Sequence, residues 1–328
     1  RKRPTSVHEN RIDMTAYEEL TNKATMGVSM DIGIVGGGLS GMFAARLLSD
    51  LGHNVTVWDK GSRIGGRLTG WQTDEGSKIH LGARALDSVP RWMDRFVDEW
   101  ARLGLVSREG DALIPHAPLP ELLEHLSEGS SISLGSRVSG LELLEGGIRV
   151  TTESDGDGEV CRCDRVIVAV PVEQASEIAS DLGIDIDGES IPSIVAWGFC
   201  DSIPEEAPEG FRIYEVDDAT AIVELSPEES SQLIDEDKGA LAKIITGAMG
   251  LSSEGWKSHK WRYSRAYSGP GAVVSKDGIS FIGDAFGKEI GTAGAALDSA
   301  SRAVSNLHLS KLETEFERRA VQSYLSDW

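Results

Sequence analysis

The segment IVGGGLSG, residues 34–41, most strongly constrains the fold of this chain. Gly36, Gly38 and Gly41 have the spacing G-x-G-x-x-G, between a short apolar strand that begins at Asp31 and a segment whose apolar residues recur with helical period. In this setting the first glycine permits a tight turn, the second lets backbone N–H groups approach a pyrophosphate, and the third allows close helix packing. The segment therefore predicts a dinucleotide-binding turn.

A second strand, NVTVWDK, is expected after Gly52 ends the helix. The resulting β-α-β unit requires a parallel sheet. Asp59 stands at the end of the second strand, where an acid accepts hydrogen bonds from the adenosine ribose and disfavours a 2′-phosphate. The predicted cofactor contacts of this unit are Gly36, Gly38, Leu39, Ser40, Gly41, Asp59 and Lys60.

The next segment, GSRIGGRLTGW, bears on which dinucleotide is bound, since NAD and FAD share the features above. Gly66 is a small residue and Arg67 a cation, and both are expected beside the pyrophosphate. This arrangement suits an FAD that lies extended across the domain. The expected fold class is α/β: a Rossmann-like FAD-binding domain, in which helices cover a parallel sheet, plus a smaller mixed-sheet substrate domain.

The order of these motifs resembles that of the flavin-containing amine oxidase superfamily, from Met30 to about Leu307. KIHLGARAL is similar to a block that lies beside the flavin in that family, and SRVSGLEL to a strand that contacts adenine. DRVIVAVPV and FIGDAFGKEIGTAGAALDSASRAVSNL are similar to its later blocks. The cofactor contacts implied by the resemblance are Gly82, Ala83, Arg84, Val138, Gly283, Asp284, Thr292 and Ala293.

The resemblance also implies a chemistry. The helix that begins near Ala293 would direct its N-terminus at the O2 edge of the flavin, where free N–H groups stabilise negative charge after reduction. HKWRYSRA, residues 259–266, resembles a block of the renalase-type flavoproteins. This subgroup implies that a small amine or dihydropyridine isomer of NAD(P)H gives a hydride to flavin N5, with O2 as acceptor and H2O2 as product.

Several residues depart from the family pattern. Arg84 stands where the family has an amide, so it could bind an anionic substrate or simply pair with one of the many acids. Asp298-Ser299 replaces a Ser-Gly pair. The closing block has no cysteine, so FAD should be noncovalent.

No catalytic acid or base is assigned, since His80 and His259 are more typical of structural residues. The pocket candidates are Arg84, Trp261, Arg262 and Tyr263, with strand alternation sending Arg262 to the opposite face from Trp261 and Tyr263.

The composition argues against several classes of binding partner. The 53 acidic and 32 basic residues give a net charge of −21, which opposes binding to nucleic acid or to anionic membranes. The three cysteines lack the spacing of a zinc or redox site, so no metal is expected. With no apolar run long enough for a membrane span, we expect a cytoplasmic protein whose partner is a small-molecule substrate.

Two alternatives to an oxidase stay open: an FAD-dependent desaturase or isomerase, and a flavin-binding protein with little turnover. The C-terminal segment is expected to form an amphipathic helix through Leu312, Phe316 and Tyr324. The expected division is a disordered extension at 1–29, an FAD-binding domain at 30–89, 110–172 and 266–308, a substrate domain at 90–109 and 173–265, and a C-terminal helix at 309–328.

Overall fold

The computed structural model describes residues 29–72, 78–116, 118–153, 158–200, 202, 204, 206–217 and 219–309 of the 328. The extension expected at residues 1–29 lies outside the described residues, except for its last position. The C-terminal helix expected at 309–328, with Leu312, Phe316 and Tyr324, also lies outside them beyond residue 309.

Seventeen strands occur within the described residues. They are β1 Asp31–Val35, β2 Asn54–Asp59, β3 Gly70–Gln72, β4 Lys78–His80, β5 Val106–Glu109, β6 Ala112–Pro115, β7 Ser131–Leu134, β8 Arg137–Leu144, β9 Gly147–Glu153, β10 Val160–Cys163, β11 Arg165–Val168, β12 Ser190–Phe199, β13 Phe211–Asp217, β14 Thr220–Leu225, β15 Lys257–Ala266, β16 Val274–Lys276 and β17 Ile279–Phe281.

Seven α-helices occur in the same residues, and none of them is long and apolar enough to cross a bilayer. Short 3₁₀ turns cover Gly66–Leu68 and Arg91–Met93. The α-helices are α1 Leu39–Asp50, α2 Asp94–Arg102, α3 Leu119–Ser127, α4 Val172–Asp181, α5 Pro227–Leu233, α6 Lys238–Ala248 and α7 Ala293–Leu309.

The main sheet has the strand order β16-β17-β11-β1-β2-β7. The five strands from β17 to β7 run parallel, and only the short edge strand β16 pairs antiparallel. β1 therefore lies between β2 and β11, and β11 is apolar at nearly every position because layers cover both faces of the sheet. The β-α-β unit and the parallel sheet expected from the glycine turn are confirmed.

Three layers form the half of the molecule that is built on the main sheet. On one face of the main sheet, α1, α2, α3 and α7 pack into a core that includes Ile34, Phe43 and Leu297. On the other face, the antiparallel sheet β10-β9-β8 and helix α4 enclose a second core around Val150 and Val168. The β8-β9 hairpin turns at Gly146 and Gly147, as their position between two alternating runs predicts.

A second sheet, with the order β13-β14-β12-β15, forms the other half of the molecule. Each of its described strand pairs is antiparallel, so the sheet is not mixed as expected. α5 and α6 cover one face with a core around Ile194 and Leu241. The opposite face carries Val195 and Trp197, which pack on Ile79 of β4.

Prolines and capping residues mark the starts of α4, α5 and α6. α4 starts directly after Pro171. Ser226 caps α5 by accepting a hydrogen bond from the N–H of Glu229, and Pro227 occupies its first turn. Asp237 caps α6 in the same way. These caps and prolines are helix-start signals in the sequence.

Residues 90–109 pack with the half that contains the main sheet. Phe96 and Trp100 of α2 lie edge-on to Phe43 of α1, with ring centres 5.2 and 6.3 Å from the Phe43 ring centre. All three side chains are buried in the core of the main sheet. The packing therefore favours moving this segment out of the substrate domain in which it was expected.

Candidate functional site

A groove of about 1210 Å³ lies between the carboxyl edge of the main sheet and the second sheet. Crevices at this edge of a parallel sheet are where α/β folds bind nucleotides. The volume exceeds the roughly 300–1,000 Å³ of a pocket for a drug-sized ligand. Of the expected contacts, those that line the groove are Gly36, Gly38, Leu39, Ser40, Asp59, Lys60, Gly66, Arg67, Gly82, Ala83, Arg84, Val138, Gly283, Asp284, Ala293, Trp261, Arg262 and Tyr263.

The three glycines of the turn play different parts. Gly36 has φ +107°, and a Cβ there would lie 2.4 Å from the carbonyl oxygen of Ala169. A Cβ on Gly41 would lie 2.0 Å from the carbonyl oxygen of Gly36, so Gly41 serves helix packing and does not line the groove. A Cβ on Gly38 would meet no atom within 4 Å, because this position opens onto the groove.

The N-terminus of α1 faces the same space. Gly38 is its N-cap residue and has no side chain with which to cap the helix. The first N–H groups of a helix attract anions, and the macrodipole adds to that attraction. The turn thus fits a pyrophosphate, both in its open space and in its hydrogen-bond donors.

Asp59 fixes the loops around this turn. One carboxylate oxygen accepts a hydrogen bond of 2.7 Å from the N–H of Gly37, and the other accepts one of 2.6 Å from the N–H of Gly61. Both oxygens keep a lone pair for a further donor. The carboxylate therefore both holds the phosphate loop and borders the groove where a ribose is expected.

Replacing Asp59 with alanine should weaken FAD retention and also lower stability by about 1–3 kcal/mol, because two backbone N–H groups lose their acceptor. Asp59→Asn, which keeps one acceptor oxygen, should lie between wild type and Asp59→Ala. Flavin content after gel filtration and urea unfolding of the apoprotein would measure the two effects. Unchanged flavin content in Asp59→Ala would contradict the ribose assignment.

The segment around Arg67 joins motifs that are distant in sequence. The N–H of Gly65 bonds to the carbonyl of Gly37, and the N–H of Ala83 bonds to the carbonyl of Arg67. The Arg67 guanidinium lies 3.0 Å from Asp284 of the closing block. Each of the motif blocks around the groove is thus tied to another by a direct contact.

The N-terminus of α7 differs from the expectation of free N–H groups. The N–H of Ala293 donates to the Asp87 carboxylate at 2.8 Å, and that of Gly294 donates to the Asp87 carbonyl. Thr292 accepts from the N–H groups of Ala295 and Ala296. The first turn is therefore capped by Asp87 and Thr292. Thr292 acts as a cap and does not line the groove.

β15 supplies one wall of the groove. The indole N–H of Trp261 donates to the carbonyl of Gly66 at 3.2 Å, which joins the second sheet to the Arg67 segment. The Arg262 guanidinium is instead paired with exposed Asp235. Trp261 and Arg262 thus have different surroundings, in keeping with strand alternation. Arg262 borders the groove but has its charge engaged elsewhere.

Arg84 pairs with an acid of the groove itself. Its Nη1 lies 3.1 Å from an oxygen of Glu224, and its guanidinium carbon lies 3.4 Å from the ring centre of Tyr214. The Tyr214 hydroxyl donates to the same Glu224 oxygen at 3.0 Å. The sequence analysis did not identify Glu224 or Tyr214 as site residues. Glu224 could have been identified, because it is a single acid within the apolar strand AIVEL.

The His259 ring lies edge-on to the Trp261 ring, with ring centres 4.4 Å apart. Burial, and secondarily the charge of Lys238, lowers the pKa of His259 to about 4. Burial, with a contribution from Arg84, also lowers the pKa of His80. Both imidazoles are therefore neutral in the folded protein near pH 7.

The low pKa of His259 makes the fold sensitive to acid. Between pH 6.5 and about 4 the unfolded chain binds a proton at this site that the folded chain does not, so stability falls as the pH falls through that window. His259→Gln should flatten this part of the pH dependence. Urea unfolding of both proteins at pH 7.5, 6 and 5 would test it, and parallel curves would contradict it.

Two family models match the chain. Residues 34–100 match the NAD(P)-binding Rossmann-like domain, and residues 93–185 match the flavin containing amine oxidoreductase model. The two matches together run from residue 34 to 185 and support a relationship to the flavin-containing amine oxidase superfamily. FAD is accordingly the cofactor, and the open turn at Gly38 and the long groove fit it.

The curated relatives match less than a third of the chain. The L-amino-acid oxidase of Mus musculus is 37% identical over 81 residues, which cover 23% of this chain and 13% of that protein. The L-amino-acid oxidase of Gloydius blomhoffii is 35% identical over 104 residues, covering 30% and 21%. The 4,4'-diapolycopen-4-al dehydrogenase of Metabacillus indicus is 34% identical over 107 residues, covering 31% and 19%. These alignments span about a fifth or less of each relative's length.

Solved structures resemble nearly the whole described chain. The flavin-dependent halogenase CmlS has a TM-score of 0.55 at 17% identity, covering 91% of this chain and 61% of that one. A protein from Exiguobacterium sp. 255-15, provisionally assigned as a protoporphyrinogen oxidase, has a TM-score of 0.58 at 13% identity. That match covers 87% of this chain and 100% of the other. At these identities the likeness concerns the fold, a Rossmann-like α/β architecture.

Proposed function

We propose that this chain is an FAD-dependent oxidase that takes a hydride from a small amine or dihydropyridine-type donor and passes the electrons to O2, with H2O2 as product. One observation carries the proposal. A single groove joins the dinucleotide turn at Gly38 to a wall of the second sheet that carries Glu224, Trp261 and Tyr263. A cofactor that spans the first part would end beside a substrate in the second.

The cofactor contacts are part of the proposal. The open turn at Gly38 would hold the pyrophosphate, Asp59 the ribose and Val138 the adenine. The bond from Gly65 to Gly37 links the Arg67 segment to the turn, and the ion pair of Arg67 with Asp284 links it to the closing block. When bound, FAD supplies the electron acceptor for the hydride, and the protein supplies binding and orientation.

At the substrate end, two aromatic residues of β15, Trp261 and Tyr263, line the groove. Trp261 is held by its bond to the Gly66 carbonyl. These two side chains would orient a flat donor and exclude water from it. Neutral His259 beside Trp261 adds no positive charge near neutral pH. The similarity of residues 259–266 to renalase-type proteins supports this subgroup.

We assign different roles to the two halves because each lines a different part of the groove. The main sheet with its three layers would bind FAD, and the second sheet from β12 to β15 would bind the substrate. The packing of α2 and α4 on the main sheet supports assigning residues 90–109 and 172–181 to the first half.

Anaerobic reduction of the purified protein tests the function. The flavin spectrum is recorded before and after addition of NADH, NADPH, their dihydropyridine isomers or simple amines, and the reduced protein is then exposed to air with H2O2 measured. Bleaching by one donor and recovery in air with H2O2 would support the proposal. Bound FAD that no donor reduces would overturn it in favour of a desaturase, an isomerase or a flavin-binding protein with little turnover.

A further inference from the structure

Asp87 closes the N-terminus of α7 at the wall of the groove. Its carboxylate accepts a hydrogen bond of 2.8 Å from the N–H of Ala293, and its carbonyl accepts one of 2.9 Å from the N–H of Gly294. Asp87 and Ala293 both line the groove. The negative charge of this carboxylate is therefore presented to any group that lies in the groove beside α7.

The loop that carries Asp87 packs closely on the start of α7. A Cβ on Gly294 would lie 1.8 Å from the carbonyl oxygen of Ser88, so the helix can begin against this loop only with glycine at that position. Ser88 has φ +52°, a backbone conformation that is strained for a residue other than glycine. This packing fixes the position of the Asp87 carboxylate relative to the helix.

The charge of Asp87 outweighs the positive end of the helix. The macrodipole of a helix is equivalent to about half a positive charge at its N-terminus, whereas a carboxylate there carries a full negative charge. The other N–H groups of the first turn bond to Thr292. Arg67 and Arg84, two cations that line the groove, are paired with other acids. This end of α7 therefore does not supply the positive field that an uncapped helix N-terminus offers to an anion.

Residues 82–87 connect the dinucleotide turn to the second sheet. The N–H of Ala83 bonds to the carbonyl of Arg67, in the segment next to the turn, and Arg84 pairs with Glu224 of β14. The ring system of an FAD whose pyrophosphate lies at the turn would extend along this wall. A flavin that accepts a hydride at N5 gains negative charge at N1 and the C2 carbonyl, and a nearby carboxylate makes that gain less favourable.

We propose that Asp87 lowers the reduction potential of bound FAD by opposing the negative charge of the reduced ring. A low potential favours the onward transfer of electrons from the flavin and restricts its reduction to strong hydride donors. Dihydropyridines are such donors, because the loss of hydride restores an aromatic ring, whereas simple amines are weaker. The inference rests on the proposed function and narrows its donor to the dihydropyridine class.

Redox titration of the FAD-loaded protein tests the inference. Dithionite is added without oxygen in the presence of a reference dye, and the midpoint potential is read from the spectra of the flavin and the dye. Asp87→Asn, which keeps an acceptor oxygen for the N–H of Ala293, should shift the two-electron equilibrium about 10-fold toward reduced flavin, an increase of about 30 mV in the potential. Asp98→Asn removes the same charge from an exposed position of α2, outside the residues that line the groove, and should leave the potential unchanged.

An unchanged or lower potential in Asp87→Asn, or an equal rise in Asp98→Asn, would overturn the inference. Asp87→Ser is a second variant without the charge, whose hydroxyl also accepts hydrogen bonds, and it should raise the potential by a similar amount. Loss of FAD from both Asp87 variants would also overturn the inference, since Asp87 would then hold the cofactor and not set its potential. The proposed function fails differently: dithionite reduces the flavin whether or not an amine or a dihydropyridine does, so the potential is measured even where no such donor reacts.

Discussion

Gly38→Val should weaken FAD binding by at least roughly 100-fold and leave the apoprotein folded. The Cβ of Gly38 would project into open space in the groove, where no protein atom lies within 4 Å, so the valine side chain would occupy the volume assigned to the pyrophosphate. Valine is a poor N-cap residue, so the free energy of unfolding of the apoprotein should fall, by no more than about 1 kcal/mol. Flavin content and the Tm of the apoprotein measure the two quantities.

Gly140→Val is the matched control for this variant. Gly140 also has open space around its Cβ position and lies in β8, outside the residues that line the groove. It should retain FAD at the wild-type level. Full flavin content in Gly38→Val, or equal loss in both variants, would show that the turn does not hold the cofactor.

Gly41→Ala should mainly lower the stability of the apoprotein, whereas Gly38→Val should mainly weaken FAD binding. A Cβ there would lie 2.0 Å from the carbonyl oxygen of Gly36, which is backbone and cannot move aside easily. We expect a loss of about 2 kcal/mol from overpacking, and a Tm lower by about 4–8 °C for a domain of this size. Urea unfolding and thermal melting of the apoprotein measure the change.

Gly247→Ala provides the comparison in another helix. Gly247 lies near the end of α6 with no atom within 4 Å of its Cβ position. Alanine there should stabilise the protein by roughly 0.5–1 kcal/mol, because only helix propensity changes. A Gly41→Ala variant as stable as wild type would mean that α1 can shift away from the turn.

The nucleotide end of the site was predictable because its residues are held by local geometry. Gly36, Gly38 and Asp59 belong to one strand-turn-helix-strand unit, and the spacing within that unit places all of them at the same sheet edge. Arg67 follows within the next few residues. Short-range spacing therefore carries the information for this half of the groove.

The substrate end could not be deduced in the same way. Arg84 and Glu224 are 140 positions apart, and their pairing depends on how the second sheet packs on the first. Local spacing carries no information about this packing, so the acid that pairs with Arg84 could not be predicted from it. The contact of Asp87 with the N-terminus of α7 spans 206 positions and likewise could not be predicted from local spacing.

The ties between distant motif blocks also bear on how the molecule assembles. β17 enters the main sheet beside β11, and Asp284 directly after it completes the Arg67 tether. On a ribosome, the glycine turn emerges long before these partners exist. Pairings of such long separation slow folding, because the chain must lose much entropy before they form. The groove is therefore completed only after the C-terminal third of the chain has been made, because Gly283, Asp284 and Ala293 belong to its lining.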